Sequence, residues 1–488
     1  MAEHKESLKN KTIKGSFWSL ADNVFVLGVR FIIGLVLARL LTPDEYGLIG
    51  IVTIFLSVFD YIVDGGLSNA LIRKKDATDI DYNTVFYSNL ILSSFLFLIF
   101  YISSPFIADF FNQPELIPIS QVLSIVIIIN GFTIIQKTLL TKRIDFKTQT
   151  KISIISSVTS GILGIVSAFF GFGVWALVLQ TLSASFLRCI FLWFWGHWKP
   201  RMVFSVKSFR ELFGFGWKLL VSGLIEIIWR DTYKIVIGKC YAPALLGQYS
   251  RAQQFAALAS SNLNTVVSRV TYPVLSSIQD DKERLKDAYR RIIRLTMLIT
   301  FVLMLGMAAV ARPMILVLVG EQWLPSVEFL QIICFSCMMY PLHAINLNML
   351  KVQGRSDLFL KLELIKKFIA LGPIFIGIFI NIYWMLIGSV FTGLFAYYLN
   401  AYYSGPFLNY SIWQQIKDIL PSFGVSLTMA LIVYAMSFLP IPVLPLFILQ
   451  VIVGILLTIG LCTVFKLQEY EELKNIVLSF INKKKKNG

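Results

Sequence analysis

The chain has 488 residues, 56% of them hydrophobic and 15% charged, with a formal net charge of +16. A water-soluble domain carries about 25% charged residues, so this composition excludes an ordinary soluble enzyme and makes lipid the solvent for most of the surface. The positive charge does not mark a nucleic-acid partner, because along the chain it follows loop position.

The basic N-terminus (Lys5, Lys9, Lys11, Lys14) leads into an apolar stretch that is long and lacks a small-residue cleavage site, so it reads as a retained first membrane helix and not a signal peptide. A membrane helix needs about 20 apolar residues. Such stretches fall at 17–39, 47–69, 85–104, 116–135, 149–170 and 174–195, then at 213–238, 247–272, 291–311, 327–350, 359–380 and 382–402, and last at 419–438 and 441–465. The expected fold is therefore an all-α membrane protein of about fourteen transmembrane helices, with 247–272 the most polar. With the N-terminus placed in the cytoplasm, 35 of the 44 Lys and Arg lie on cytoplasmic segments and only Arg39, Lys239 and Arg312 on outer loops. That asymmetry places both termini in the cytoplasm. No loop is long enough for an extramembrane catalytic domain, so the chain is not expected to be an enzyme.

Arg30, Pro43, Gly47 and Ser68 recur 200 residues later as Arg230, Pro243, Gly247 and Ser268, and Trp18 recurs as Trp217. The hydropathy pattern repeats at the same period. Two six-helix repeats are expected, related by an axis along the membrane normal because each holds an even number of helices. The expected divisions are 1–204 for the N-terminal lobe, 205–402 for the second lobe, and 403–488 for helices 13 and 14 with a basic tail.

Ionisable residues in membrane helices cost about 2.5–3.5 kcal/mol at the centre. Here they concentrate in helices 1, 2, 7 and 8, which the repeat pairs. Helix 1 carries Asp22, Asn23 and Arg30. Helix 2 has Thr53, Ser57, Asp60 and Asp64 at steps of four, three and four, one polar stripe. Helix 7 has Glu226, Arg230 and Lys234 on one face with Asp231 beside them, and helix 8 has Arg251, Asn262 and Arg269. Four polar-striped helices in two symmetric pairs predict a central hydrophilic cavity, acidic on the first lobe and basic on the second. Arginine suits phosphate because its fork binds two oxygens, and Arg30 with Arg230, in matching repeat positions, is expected to grip an anionic head group. The residues expected to bind substrate are Arg30, Arg230, Lys234, Arg251, Arg269, Asn23 and Asn262. Those expected to couple transport to a proton or sodium ion are Asp22, Asp60, Asp64 and Glu226. The competing reading is that these charges are packing salt bridges, such as Arg230 with Glu226. Elsewhere the plain reading is preferred. Arg188 snorkels from a helix end, His343 packs, and Cys334-x-x-Cys337 lies in an apolar run with no second pair to hold a metal. No cofactor is expected.

Several stretches have a familiar form: GSFWSL (15–20), LARLLTPDEYGLIG (37–50), DGGLSNALIRK (64–74), FGFGVWALV (171–179), IGKCYAPALLGQYSRAQQ (237–254) and VSRVTYPVLSSIQDD (267–281). Together they resemble the Wzx-type polysaccharide exporters of the multidrug/oligosaccharidyl-lipid/polysaccharide superfamily, nearest the colanic-acid and teichuronic-acid exporter branch. The resemblance implies two six-helix bundles in a V, a cavity lined by helices 1, 2, 7 and 8, and alternating access. It also implies the cargo, an undecaprenyl-diphosphate-linked oligosaccharide flipped between leaflets, and association with polysaccharide polymerase and export machinery. The alternatives in the same superfamily are a lipid II-type flippase and a cation-coupled multidrug exporter.

Overall fold

The computed structural model describes residues 26–196 and 198–486, and every regular element among them is helical. Two compact units divide at Gly247–Gln248. The first holds α1 (26–40), α2 (Pro43–Asp64), α3 (Leu67–Arg73), α4 (Asp79–Phe111), α5 (Leu116–Lys142), α6 (Phe146–Phe169), α7 (Val174–Trp195) and α8 (Val206–Cys240). Helix α9 (Pro243–Ser276) begins at the end of this unit and runs on into the second. There follow α10 (Lys282–Ala309), α11 (Ala311–Leu318), α12 (Ser326–Cys337), α13 (Tyr340–Val352), α14 (Ser356–Ile369), α15 (Leu371–Phe379), α16 (Ile382–Ser404), α17 (Ile412–Ala435), α18 (Val443–Val464) and α19 (Gln468–Lys486).

The ends of the helices are written in the sequence. Thr42 and Glu45 form a reciprocal cap on α2, with the Thr42 amide donating to Glu45 Oε2 at 2.7 Å and Pro43 occupying the first turn, where no amide is missed. Asp145, Ser205 and Ser411 cap α6, α8 and α17, each worth about 1 kcal/mol. Gly65 and Gly66, at φ +55° and +69°, separate α2 from α3. The left-handed conformation at both positions favours glycine, which accounts for the DGG in that motif.

Eleven helical stretches among the described residues are long and apolar enough to cross a membrane. Three further spans were expected. The described part of the first is α1, the second is α9, and the third is the broken pair α14–α15. Much of the surface is apolar, with Phe169, Phe194, Phe379 and Phe391 fully presented, as a lipid-facing protein requires. Inside the first unit small residues let helices approach closely. A Cβ on Gly131 of α5 would overlap Ser93 of α4, and one on Gly161 of α6 would overlap Ile33 of α1.

Helix α8 packs on α2, α3 and α4. The contacts therefore place α8 with the first unit, whereas the repeat pattern begins the second lobe at 205. In the second unit α10 is central. Tyr289, Ile293, Met297 and Met304 are buried on it, and the Tyr289 hydroxyl donates to Asn346 Oδ1 at 2.5 Å, which also accepts from Ser404 at 2.6 Å. Arg294 of α10 holds Glu469 of α19 at 2.8 Å, and Ser422 of α17 donates to the same carboxylate at 2.5 Å, so the C-terminal helix is docked.

Candidate functional site

A polar cavity of about 320 Å³ opens in the first unit. Its cationic lining comes from three helices: Arg30 of α1, Lys137 of α5 and Arg188 of α7, with Gln149 and Ser153 of α6 beside them. Arg30 is exposed to the cavity and its Nε donates to the buried Ser157 hydroxyl of α6 at 3.4 Å. Lys137 is exposed and Arg188 half-buried. Among the described residues three cations and no carboxylate line this cavity, while Asp22, which the expected acidic character also counted, lies outside the described residues. The expectation weighed only helices 1 and 2, and two of the three cations arrive on α5 and α7.

Behind the cavity stand the two carboxylates of α2. Asp60 accepts a forked hydrogen bond from Asn130 Nδ2 of α5, at 2.9 Å to each oxygen. Asp64 accepts from Ser68, whose hydroxyl in turn receives Thr138 Oγ1 of α5 at 3.0 Å. Both are half-buried. Arg188 is the cation acting on Asp60, and Lys137 acts on Asp64. The expected polar stripe of α2 divides. Thr53 and Ser57 donate to their own helix backbone, at 2.9 Å to Gly50 O and 2.8 Å to Thr53 O, while the two aspartates engage α5.

The α8 set is a separate cluster. Asp231 is buried between Arg230 Nη2 at 3.3 Å and Lys234 Nζ at 2.8 Å. Arg230 bonds to Asp231, whereas the packing reading paired it with Glu226, and Arg230 is absent from the lining of the cavity that holds Arg30. Arg251 is 3% exposed, lies over the Trp323 ring at 4.9 Å and donates to Gln254 at 2.8 Å. These contacts hold it within its own unit. Asp22 and Asn23 lie outside the described residues, as do the side chains of Asn262 and Arg269.

Lys137, Arg188, Asn130 and Gln149 were not on the expected site. Lys137 counted among cytoplasmic charges, and Arg188 passed for a snorkelling helix-end residue. The available signal was that both are cations within one turn of the apolar run of helices that must pack on α2.

At the far end of α3, Lys74 bridges Asp81 at 3.1 Å and Glu211 of α8 at 3.0 Å. Burial opposes its charge, but the hydrogen bonds to Glu211 and Asp81 outweigh it and hold the ammonium above the ordinary lysine range.

Comparison with known proteins places this geometry. The chain is 25% identical over 444 residues to the lipopolysaccharide biosynthesis protein WzxC of Escherichia coli, covering 88% of each chain. It is 25% identical over 354 residues to the teichuronic acid biosynthesis protein TuaB of Bacillus subtilis, covering 72% of this chain and 73% of that one. The fold matches the lipid II flippase MurJ in an inward closed conformation with a TM-score of 0.73, at 15% identity, over 94% of this chain and 99% of the other. The family model described as polysaccharide biosynthesis protein matches residues 36–328, and the chain belongs to that family of membrane transport proteins.

Proposed function

We propose that this protein is a flippase that carries an undecaprenyl-diphosphate-linked oligosaccharide from the inner to the outer leaflet of the cytoplasmic membrane by alternating access. The observation that carries the reading is the cavity lined by Arg30, Lys137 and Arg188. Three cations converging on one cavity from three helices suit an anionic group, and a diphosphate offers two adjacent anionic groups to forked donors. The multidrug alternative fits less well, because organic cations would be repelled from this lining. WzxC and TuaB, by their names, serve lipopolysaccharide and teichuronic acid biosynthesis, and both processes suit a lipid-linked cargo.

Asp60 and Asp64 complete the reading. They sit one helical turn apart behind the cations, where a proton or sodium ion could replace the charge that Arg188 and Lys137 provide once those cations turn to phosphate. Coupling of transport to such an ion is part of the proposal.

The test is binding of undecaprenyl diphosphate to purified protein in lipid nanodiscs, read by native mass spectrometry, with undecaprenol as the neutral control. A charge-assisted hydrogen bond contributes about 1.5–3 kcal/mol, so Arg30→Ala should weaken diphosphate binding by about 10- to 100-fold and leave undecaprenol unaffected. Equal affinity of parent and variant for the diphosphate would end the proposal.

A further inference from the structure

The stretch that joins α7 to α8 is short and fixed. Its backbone is held by polar side chains of the first unit. Asn83 Oδ1 accepts from the Arg201 amide at 2.6 Å, Thr84 Oγ1 accepts from the Ser205 amide at 3.1 Å, and Gln136 Nε2 donates to the Trp198 carbonyl at 2.9 Å. Asn83, Thr84 and Gln136 are each 1% exposed or less. Ser208, in the first turn of α8, adds a bond from its hydroxyl to buried Asp81 at 2.5 Å. A backbone with its polar groups satisfied in this way presents its side chains in a set order.

What the loop presents is apolar and cationic together. Met202 is 98% exposed, and Val203, Phe204 and Val206 are exposed beside it. Lys199 and Arg201 precede them and Lys207 and Arg210 follow, all four exposed. Arg201 reaches Asp79 only at 3.9 Å, and Glu211 is taken by Lys74. Among the described residues no carboxylate pairs with Lys199, Lys207 or Arg210. The Phe204 ring stands 6.4 Å from Phe209, which stacks on Phe213 at 5.4 Å, so an aromatic row leads from the loop along the start of α8.

The neighbours fix the level of the loop in the bilayer. The apolar run of α4 begins at 85, directly after Thr84; that of α5 ends at 135, directly before Gln136; and that of α7 ends at 195. The residues that hold the loop therefore lie where hydrocarbon gives way to head groups. Trp193, Trp195 and Trp198 gather at the same level, as tryptophan does at that boundary. An exposed apolar patch needs a cover, and at this level the cover is lipid. Its phosphates lie beside the cations and its acyl chains beside Met202 and Phe204.

We propose that residues 199–210 form a binding surface for anionic phospholipid, with Lys199, Arg201, Lys207 and Arg210 on the head-group phosphates and Met202 and Phe204 in the acyl layer. The surface shares no residue with the lining of the cavity that holds Arg30, Lys137 and Arg188, and it stands or falls independently of the proposed cargo. Bound lipid would set the depth at which α8 starts.

The experiment uses the full chain in phosphatidylcholine liposomes, with the five native cysteines replaced by alanine and one fluorophore on Met202→Cys. The liposomes carry acyl-chain spin-labelled phosphatidylglycerol or, at the same mole fraction, spin-labelled phosphatidylcholine, and quenching gives the relative association of the two lipids at this position. One cation beside an anionic leaflet is worth about fivefold in association. Phosphatidylglycerol should therefore be preferred by about tenfold or more, and the preference should shrink at high salt. Glutamine at all four cationic positions should bring the two lipids within about twofold of each other, while Arg201→Lys with Arg210→Lys should keep the preference. Equal quenching by the two lipids in the parent, or an undiminished preference in the glutamine variant, would overturn the proposal. So would a reporter shielded from both lipids while unlabelled Met202→Cys forms disulfide-linked dimers, which would give the face to a second copy. Should the glutamine variant fail to accumulate, the parent's preference and its salt dependence decide the matter.

Discussion

Arg188 is the residue whose role the structure changes most, and replacing it separates two jobs. It lines the cavity with Arg30 and Lys137 and is also the cation acting on Asp60. A nearby pair of unit charges at an effective dielectric of about 20 interacts by roughly 1–4 kcal/mol. Losing Arg188 should therefore destabilise the protein by about 1–3 kcal/mol, with Asn130 still holding the carboxylate. A lost charge-assisted contact to phosphate is worth about 1.5–3 kcal/mol in addition, or about 10- to 100-fold in affinity. The cycle of Arg188→Ala, Asp60→Asn and the double variant resolves the two. Thermal unfolding in detergent should show that Asp60→Asn recovers most of the stability lost in Arg188→Ala. Undecaprenyl diphosphate binding in nanodiscs should stay weak in the double variant, and Arg188→Lys should recover only part of it because lysine lacks the fork. If Asp60→Asn returns binding to the parent level, Arg188 is only a counter-charge and does not touch the phosphate.

Asp60→Asn with Asp64→Asn should abolish any dependence of transport on pH or sodium in proteoliposomes while leaving diphosphate binding within about tenfold of the parent; unchanged dependence would remove these aspartates from ion coupling. Arg294→Met should strand Glu469, whose side chain is 2% exposed, at a cost of about 3–5 kcal/mol for a broken buried pair, and Glu469→Gln in the same protein should return most of it, both read as melting temperature. Cysteines at Asn112 and Arg143, at opposite ends of α5, should label with impermeant reagent from opposite faces of the membrane, Asn112 from outside; the reverse pattern would invert the proposed orientation.

The helical membrane architecture was legible because it depends on long apolar runs and on loop charge, which are local or summed properties. The cap at Thr42 and Glu45 is settled by residues within one turn, whereas the break at Gly65–Gly66 falls inside the single span expected at 47–69 and was not read from hydropathy. The repeat was legible as an offset, and the structure gives that offset a physical meaning at Gly47 and Gly247, where a side chain would overlap the backbone of Pro243 and Pro43. The site was legible only in part. Arg30 lines the cavity, and Asp60 and Asp64 stand just behind it.

The rest depended on which helix neighbours which, and sequence position carries little of that. Arg188 is separated from Asp60 by most of the first unit along the chain, and Lys137 is likewise remote from Asp64. Their electrostatic coupling exists because α5 and α7 pack on α2. Hydropathy alone treats a cation near a helix end as snorkelling toward water, and in a single helix that is the cheaper arrangement. In a bundle the same cation has a second way to stay hydrated, by turning inward to a polar cavity backed by a carboxylate. The choice between the two is decided by the partner, here Asp60 held in place by Asn130. The reverse holds for Arg251. Its polar neighbours Gln248 and Gln254 suggested a wet helix face, yet Gln254 accepts from the guanidinium, Trp323 covers it, and Gln248 donates to the Gln322 carbonyl inside the unit. A charge in a membrane helix therefore marks a constraint on packing first. The proposal of a binding site rests on convergence, as where Arg30, Lys137 and Arg188 reach one cavity from three helices.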